Sequence, residues 1–276
     1  MDNKFPDIRQ EELEKLAEII QKESGIYLDL VKLKRFKRRI QTLLFENGFQ
    51  NFSAFYHQVR FAYNRTLIEK LINTVSTNET YFWRESAQFD ILTTKILPKF
   101  IIAGMLKKVR ILVAPCSSGE EVYSIMLAIL NTNDLIDKLH IEMVGIDIDS
   151  MMIEKAKKGI FTKRSVEKLP KELLKKYFTQ MGGMYKIDKS LRDAATFLHH
   201  NIFDANSVKK LGKFDIVFSR NMLIYFNDTD KQKAYTQFSS FLQPKGYLLL
   251  GHADANKIDK ELFYPISRAS HIYQKR

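Results

Sequence analysis

Residues 109–130 read VRILVAPCSSGEEVYSIMLAIL, and this stretch decides the fold. Val109 to Ala114 is a short, β-branched apolar run that predicts a buried strand. Val122 to Leu130 repeats its apolar residues at helical spacing and predicts a helix. The residues between them are small and polar, and in open parallel sheets ligands bind at such positions, after a strand and often over a helix N-terminus. The stretch therefore predicts a strand, a ligand-binding turn and a helix.

Strands and helices continue to alternate toward the C-terminus. Four more strands and two more helices are predicted: strands at Ile141–Asp147, Phe214–Ser219, Tyr247–Gly251 and His271–Gln274, and helices at Ser150–Lys158 and Thr229–Leu242. This alternation favours a mostly parallel sheet that is covered on both faces. Residues 171–201 interrupt it with a Gly-Gly pair and a short MYKI run, and we predict a small β-subdomain inserted at about 171–200. Pro244 to Gly246 predicts a turn.

The first quarter of the chain has a different pattern. Apolar residues repeat at helical spacing in four segments: Ile8–Ile20, Val31–Phe45, Phe52–Phe61 and Leu67–Val75. No strand is predicted in these segments, and a further helix is predicted for 86–102, with a break near Pro98. We therefore predict a helical N-terminal domain at 1–75 and an α/β domain at 76–276.

Composition limits the partners and the compartment. The 276 residues carry 44 Lys and Arg against 32 Asp and Glu, a formal net charge of +12. This charge predicts an anionic partner (nucleic acid, a membrane surface or an acidic protein) or only a solvated basic face. The single cysteine, Cys116, excludes an internal disulfide framework and a Cys-rich zinc site. Because there is no apolar signal core and no run approaches ~18 apolar residues, we expect a cytoplasmic protein without membrane insertion.

The turn after the first strand lacks the signatures of phosphate binding. Ser117, Ser118 and Gly119 are small and allow a ligand close to the backbone, but neither GxGxxG nor the Gly-Lys-Ser/Thr of a P-loop is present. Glu120 and Glu121 stand where a phosphate would bind, and they would repel it. They suit a cationic ligand with an ammonium or sulfonium group, or they only complement the helix dipole.

An acidic residue ends the second predicted strand. Asp147 closes IEMVGID and is placed to accept hydrogen bonds from the ribose hydroxyls of a nucleoside. Asp149, two residues later, is predicted to cap the next helix. A nucleoside that carries a positive charge and no phosphate fits both this acid and the preceding turn, and S-adenosylmethionine answers that description.

The segment NETYFWR (78–84) carries a second set of polar groups. Asn78 and Thr80 are able to bond a ligand carboxylate or amine, and the Arg84 guanidinium is able to grip a carboxylate with two N–H groups. The aromatic residues between them supply apolar walls for a ligand, or they attach one domain to the other.

A third set follows the predicted strand FDIVFS, in the segment RNMLIYF (220–226). Arg220 and Asn221 stand at the end of that strand and face the same crevice as the other two sets. The phenol of Tyr225 is suited to packing on a methyl donor or to bonding an acceptor group, or it is a core aromatic with Phe226.

Taken together and in this order, the segments resemble the CheR-type chemotaxis receptor methyltransferases, which are protein-glutamate O-methyltransferases. The family pattern NxTxFFR, CS(S/T)GEEPYS, DID, RNxxIYF and GHSE is represented here by NETYFWR (78–84), CSSGEEVYS (116–124), DID (147–149), RNMLIYF (220–226) and GHAD (251–254). The resemblance covers nearly the whole chain. It implies a Rossmann-like S-adenosylmethionine-dependent methyltransferase sheet with an inserted small β-subdomain, preceded by a small all-α N-terminal domain. The departures from the pattern include Trp83, Pro115 and Val122, and they affect the shape of the methionine pocket rather than its polar groups.

The resemblance also implies an activity and a site. The chain would transfer a methyl group from S-adenosyl-L-methionine to glutamate carboxylates of chemoreceptors in chemotaxis adaptation, with S-adenosyl-L-homocysteine as product. The implied cofactor site has nine residues: Asn78, Thr80, Arg84, Glu121, Asp147, Asn201, Ile202, Arg220 and Asn221. Arg84 and Tyr225 would be the catalytic residues that flank the methyl group and the incoming carboxylate.

The implied partner is the cytoplasmic helical domain of methyl-accepting chemotaxis receptors. In the family, the basic second helix faces the methylated region, and here the matching helix has no acid between Val31 and Phe45. Four of its basic residues are the implied substrate-binding set: Lys34, Arg35, Arg38 and Arg39. A monomer that binds neither metal nor nucleic acid is expected.

The chemistry of methyl transfer needs few special residues. Displacement at a sulfonium methyl by an ionised carboxylate requires no general base, metal or covalent intermediate, and positioning alone can supply on the order of 7–11 kcal/mol. Two alternatives remain open. One is an RNA or small-molecule methyltransferase on the same fold, and the other is a non-catalytic module that binds S-adenosylmethionine or docks on a receptor.

Overall fold

The computed structural model describes residues 6–101, 107–132, 137–204, 206–255 and 258–276. The chain forms two compact units. Met1–Thr77 and Tyr225–Lys231 make the first, here called the helical unit, and Asn78–Ile224 and Gln232–Arg276 make the second, here called the sheet unit. The domain limits 1–75 and 76–276 remain a prediction.

The helical unit is built from four helices, and its described residues contain no strand: Gln10–Ser24 (α1), Leu30–Glu46 (α2), Phe52–Arg60 (α3) and Arg65–Val75 (α4). Three of them begin at a polar cap, because the side chains of Asp29, Asn51 and Asn64 accept hydrogen bonds from main-chain N–H groups of the first turn. α1 ends at Gly25, whose φ of 77° is left-handed. The helices bury their apolar faces against one another, as their spacing predicts.

Ten strands are found in the described residues of the sheet unit: Lys107–Val113 (β1), Leu139–Asp147 (β2), Ile160–Thr162 (β3), Phe178–Met181 (β4), Met184–Ile187 (β5), Ala195–His199 (β6), Phe214–Ser219 (β7), Leu242–Leu250 (β8), Phe263–Ser267 (β9) and Ile272–Lys275 (β10). Seven form the main sheet in the order β6-β2-β1-β7-β8-β10-β9, and β3-β5-β4 form a small sheet. The first five strands of the main sheet are parallel, and β10 is antiparallel to β8 and β9.

The helices of the sheet unit mostly connect its strands: Ala87–Ile91 (α5), Glu120–Leu130 (α6), Ser150–Lys158 (α7), Lys163–Val166 (α8), Lys171–Tyr177 (α9), Lys189–Ala194 (α10) and Ser207–Leu211 (α11). Asp228–Phe241 (α12) begins in the residues that cluster with the helical unit and continues in the sheet unit. Ile111 and Leu112 of β1 point to opposite faces of the sheet and both are fully buried, as is typical of a parallel sheet that is covered on both faces. The predicted mostly parallel α/β sheet is confirmed.

The inserted β-subdomain differs from the prediction of about 171–200. The small sheet starts earlier, with β3 at 160, and β6 pairs in parallel with β2 in the main sheet. β6 is an edge strand, and its one buried residue is Phe197. It therefore lacks the continuous apolar run of a central strand, and for this reason the prediction assigned its residues to the insertion.

Two local features also differ from the predictions. Residues 244–246 do not end a strand; they form an irregularity inside β8, where Lys245 has φ 60° and the pairing with β7 shifts register. The predicted helix 86–102 is α-helical in α5, then a π-turn at Leu92–Ile96 and a 3-10 turn at Leu97–Phe100. Pro98 has no N–H for an α-helical bond, which accounts for the change. Residue 102 lies outside the described residues.

Across the described ranges, no helix combines the length and the apolar character needed to cross a bilayer.

Candidate active site

The polar segments that follow the parallel strands gather at one edge of the main sheet. The carboxyl ends of β1, β2, β6, β7 and β8 meet there because these strands run in the same direction. This edge brings together Asp147, the turn 114–119, Arg220-Asn221 and the segment 251–254. Ligands bind at this edge in open α/β sheets. Four of the five predicted motifs therefore share one location.

Asp147 connects the first two strand ends. Its carboxylate is 4% exposed, and it accepts hydrogen bonds from the main-chain N–H of Ser117 and of Asp149, both at 2.8 Å. Burial raises the pKa of Asp147 to about 6, although these two N–H groups favour the ionised form. A buried carboxylate at a strand tip is suited to accept hydrogen bonds from ribose hydroxyls.

Asp149 extends this network to the segment 78–84. One carboxylate oxygen accepts from Met151 N at 2.9 Å, so the predicted helix cap is confirmed. The other accepts from the Asn78 amide at 2.8 Å. Asn78 is thus held beside the strand end that carries Asp147.

The aromatic residues of this segment attach it to the small sheet. Phe82 is fully buried, and its ring packs edge-on against Phe161 at 4.7 Å and Phe178 at 5.3 Å. Its N–H donates to the Ser165 carbonyl at 2.9 Å, and Trp83 N donates to the Ser124 hydroxyl at 3.0 Å. These contacts fix the backbone on both sides of the polar side chains, including Arg84.

The two adjacent glutamates of the turn have different surroundings. Glu120 accepts hydrogen bonds from the hydroxyls of Ser118 at 2.7 Å and Ser165 at 2.9 Å, so both of its oxygens are used inside the fold. Glu121 points toward Arg220, with Oε1 3.7 Å from the guanidinium Nε, and this oxygen is buried without a hydrogen bond. Burial raises the pKa of Glu121 to about 7, while the Arg220 charge opposes the rise. Glu121 therefore keeps a buried oxygen without a hydrogen bond, and Glu120 does not.

Arg220 is a buried cation between two acids. Its side chain is 1% exposed, with Nε 3.7 Å from Glu121 and 3.8 Å from Glu85. Nη2 donates to the Arg84 carbonyl at 2.5 Å, and the guanidinium lies 5.7 Å from the centre of the Phe89 ring. These contacts bring Arg220, Glu121 and the backbone of Arg84 into one cluster.

Several buried polar atoms of this cluster have no hydrogen bond among the described residues. They are Ser117 Oγ, Glu121 Oε1 and the Nε and Nη1 atoms of Arg220. Buried polar atoms are rarely left unpaired in folded proteins. A ligand ammonium and a ligand carboxylate would supply the missing partners, so these side chains fit the amino-acid end of S-adenosylmethionine.

Arg84 lies at a cleft beside this cluster. The cleft has a volume of about 670 Å³, and Asn78, Thr80, Tyr81 and Arg84 are on its wall. The Arg84 guanidinium lies over the Tyr81 ring at 5.3 Å, and Lys168 Nζ also lies over this ring, at 4.4 Å. Of the nine predicted cofactor residues, three line this cleft. Asp147, Glu121 and Arg220 are not on its wall, whereas the buried Glu120 is.

Asn201 and Ile202 follow β6 at the same edge. The N–H of the preceding His200 donates to the Asp147 carbonyl at 2.9 Å. Asn201 Oδ1 accepts from Phe203 N at 2.9 Å, and Ile202 is buried. An apolar side chain close to a ribose-binding acid is suited to contact a base.

Two acids near the site are not among the predicted site residues. Asp254 accepts hydrogen bonds from main-chain N–H groups of Asn221 and Ile224, and Glu85 lies close to Arg220. Asp254 follows a predicted strand in the segment GHAD, and the same signal identified Asp147. Glu85 has no such signal, because its position depends on Arg220, which is distant in sequence.

The predicted substrate-binding side chains share one face of α2. Lys34, Arg35, Arg38 and Arg39 are all exposed, and the buried residues of α2 are four aliphatic side chains on its other face. No acidic residue occurs in 31–45. The face is a continuous basic surface, here called the basic face of α2.

Tyr225 belongs to the helical unit by its contacts. Its carbonyl oxygen accepts a hydrogen bond from Tyr27 N at 2.8 Å. The catalytic role of Tyr225 stays a prediction. In the described ranges, no group of three or more His, Cys, Asp or Glu side chains is arranged to hold a metal ion.

Known proteins provide an independent comparison. Residues 78–272 match the family domain described as CheR methyltransferase, SAM binding domain, and residues 11–76 match the CheR methyltransferase, all-alpha domain. The chain is 34% identical over 242 residues to chemotaxis protein methyltransferase 2 of Vibrio cholerae, a match that covers 87% of this chain and 84% of that protein. It is 32% identical over 272 residues to a chemotaxis protein methyltransferase of Borreliella burgdorferi, covering 95% of each. A Campylobacter jejuni protein of the same name is 37% identical over 245 residues, covering 88% of each.

These matches extend over both units and nearly the whole chain. They confirm the predicted family, the fold class and the cofactor. The chain belongs to the CheR methyltransferase family and is an S-adenosylmethionine-dependent methyltransferase of chemotaxis.

Proposed function

We propose that this chain methylates glutamate side chains in the cytoplasmic helical domain of chemoreceptors, producing glutamate methyl esters and S-adenosylhomocysteine. The observation that carries the proposal is the position of Arg84 and its lack of an ion pair among the described residues. Its guanidinium lies at the cleft wall over Tyr81, and within the described part of the chain it forms no ion pair. A cation of this kind, beside a cofactor site, suits a carboxylate brought by a substrate.

The cofactor would be held by both buried and cleft residues. Asp147 would accept from the ribose, with Asn201 and Ile202 beside the base. Glu121 and Arg220 would bond the ammonium and carboxylate of the methionine end. The site is completed by the three polar side chains of the remaining segments: Asn78, Thr80 and Asn221.

Catalysis would depend on position and on the exclusion of water. When bound, S-adenosylmethionine supplies a methyl group activated by its sulfonium. A substrate glutamate with an ordinary pKa of about 4.3 is already ionised at neutral pH, so one of its oxygen lone pairs forms the new O–C bond while the S–C electrons return to sulfur. Arg84 would orient this carboxylate, and Tyr225 would contact the reacting groups. No proton moves, and positioning of the reactants supplies most of the rate.

The substrate would be acidic, to match the basic face of α2. Four exposed cations within six residues attract a helix that carries several glutamates, and they raise the rate of encounter at low salt. We also propose that the protein is cytoplasmic, since the receptor's methylated domain lies in the cytoplasm. We propose in addition that it is a monomer.

Reversing charge on the basic face of α2 is expected to weaken receptor methylation about 10-fold or more at low salt without changing affinity for the cofactor, because steered encounter depends on such charges. The variant is Arg38→Glu with Arg39→Glu, assayed by initial rates of methylation and by calorimetry with S-adenosylmethionine. Lys15→Glu with Arg60→Glu is a matched control, since both side chains are exposed in the helical unit and lie outside α2. Equal loss in both variants would contradict the docking role.

Cofactor affinity is expected to fall as the pH drops through about 7 and then about 6. Burial raises the pKa of Glu121 to about 7 and that of Asp147 to about 6, and the ionised forms are the ones that bind an ammonium and ribose hydroxyls. The loss approaches about tenfold per pH unit for each carboxylate below its pKa. Calorimetric titration across this range measures it. Glu121→Gln should remove the upper step, and a flat profile would contradict both assignments.

The same shift has the opposite effect on the ligand-free fold. Because the folded-state pKa of Glu121 is raised from 4.5 to about 7, its contribution to the free energy of unfolding is full below 4.5 and is lost as the pH rises toward 7. In Glu121→Gln, the free energy of unfolding of the ligand-free protein should therefore depend less on pH between 4.5 and about 7.

The proposed reaction is tested by incubating the chain with methyl-labelled S-adenosylmethionine and receptor cytoplasmic fragments. We expect a label that base releases as methanol, because a glutamate methyl ester is base-labile. Fragments in which the acceptor glutamates are replaced by alanine are the matched control. Stable label on another residue, or label transferred to RNA instead, would overturn the proposal.

A further inference from the structure

The loop after β8 carries a buried acid that the proposed reaction does not use. Asp254 is 1% exposed. One carboxylate oxygen accepts from the main-chain N–H of Asn221, and the other accepts from that of Ile224 at 3.2 Å. A single side chain therefore holds two points of the segment that follows β7.

That segment has a conformation that needs support. Asn221 has φ 59°, in the left-handed region that residues with a side chain seldom adopt. Its neighbour Arg220 enters the cluster with Glu121, and the direction of the Arg220 side chain depends on this backbone. The Asp254 carboxylate accepts from Asn221 N and so supports this left-handed backbone conformation.

The fit between the two loops leaves little space. A Cβ added to Gly251 would lie 2.6 Å from Asp254 Oδ2 and 3.1 Å from Asn221 N. The main chain of Asp254 is itself held at two points. The Asp254 N–H donates to the Gly251 carbonyl at 2.9 Å, and the Tyr235 hydroxyl donates to the Asp254 carbonyl at 3.1 Å. The carboxylate is thus presented from a fixed backbone.

We propose that Asp254 is a positioning residue for cofactor binding: its carboxylate holds the Arg220-Asn221 backbone so that the Arg220 guanidinium meets the methionine end of S-adenosylmethionine. The inference rests on the cofactor role proposed for Arg220. A carboxylate is required because two N–H donors need two acceptor oxygens. An asparagine offers one oxygen and turns an NH₂ group toward a donor.

The test is a double-mutant cycle measured by calorimetry with S-adenosylmethionine. We expect Asp254→Asn to weaken binding about 10-fold, because one buried donor loses its acceptor and the segment shifts. Arg220→Ala should also weaken binding. The double variant should be weaker than Arg220→Ala by less than the loss seen in Asp254→Asn alone, because Asp254 acts mainly through Arg220. In turnover assays, Asp254→Asn should raise KM for the cofactor and leave kcat at saturating cofactor within about twofold.

Tyr235→Phe is the matched structural control. It removes a buried hydrogen bond to the main-chain carbonyl of Asp254 and leaves the carboxylate with its two N–H donors, so it should lower the melting temperature and change cofactor affinity by less than Asp254→Asn does. If Asp254→Asn does not fold, Gly251→Ala displaces the carboxylate from the other side and should raise KM in the same way.

The outcomes separate the two hypotheses. Wild-type affinity in Arg220→Ala would overturn the cofactor role of Arg220, and with it the inference. Weak binding in Arg220→Ala together with wild-type affinity in Asp254→Asn would overturn the inference alone. So would additive losses in the double variant, because Asp254 would then act on binding by another route.

Discussion

Asp147→Ala is expected to weaken S-adenosylmethionine binding by about 100-fold or more. Hydrogen bonds to a charged group contribute about 1.5–3 kcal/mol each, and the ribose would lose two of them. The substitution also leaves Ser117 N and Asp149 N without their acceptor, so the turn after β1 keeps its bond from Cys116 N to the Ile146 carbonyl but loses the one to Asp147. Calorimetry with the wild type and the variant measures the loss.

A control separates this loss from general damage to the sheet. Asp215 is also an acid on a strand of the main sheet, and its carboxylate accepts from Arg110 N at 2.9 Å. It lies near the start of β7, at the edge opposite the site, so Asp215→Ala should keep cofactor affinity near the wild-type value. Unchanged affinity in Asp147→Ala would refute the ribose role.

Arg84→Ala is expected to lower kcat by about 100-fold and to lower cofactor affinity by a much smaller factor. A carboxylate misplaced by about 1 Å can cost a factor of this size, since the reaction depends on alignment. The assay is single-turnover methyl transfer at saturating cofactor, with affinity measured separately. Arg84→Lys keeps the charge without the planar fork and should recover part of the rate.

Lys168→Ala tests whether any cation at the cleft has this effect. Lys168 lies over the same Tyr81 ring as Arg84 but is outside the family motif. We expect its removal to leave kcat within about threefold of the wild type. Equal rates for Arg84→Ala and the wild type would remove Arg84 from the reaction.

The fold is predictable from sequence wherever a segment buries a regular face. The apolar run of β1 and the helical repeat of α6 are local signals, and both elements form as predicted. β6 escapes the pattern because Phe197 is its one buried residue. Lys245 escapes it because a bulge and a turn use similar residues, and only the pairing with β7 separates them.

The site is predictable in part. Asp147 and Arg220 follow strands, so the topology of a parallel sheet brings them to one edge. Only the family resemblance separates Glu121 from Glu120; the local pattern does not, because neighbouring helical residues point about 100° apart and their surroundings come from distant segments. Ser165 binds one of them and Arg220 binds the other.

The burial of Phe82 has a consequence for attempts to shorten this enzyme. Its ring completes the interior of the small sheet, while two residues away the same backbone presents Arg84. Excising residues 160–187 to obtain a minimal catalyst would expose the Phe82 ring and remove the contacts that hold the backbone next to Arg84. The insertion therefore supports the backbone of the segment that carries Arg84, and we expect truncated or chimeric enzymes to need it.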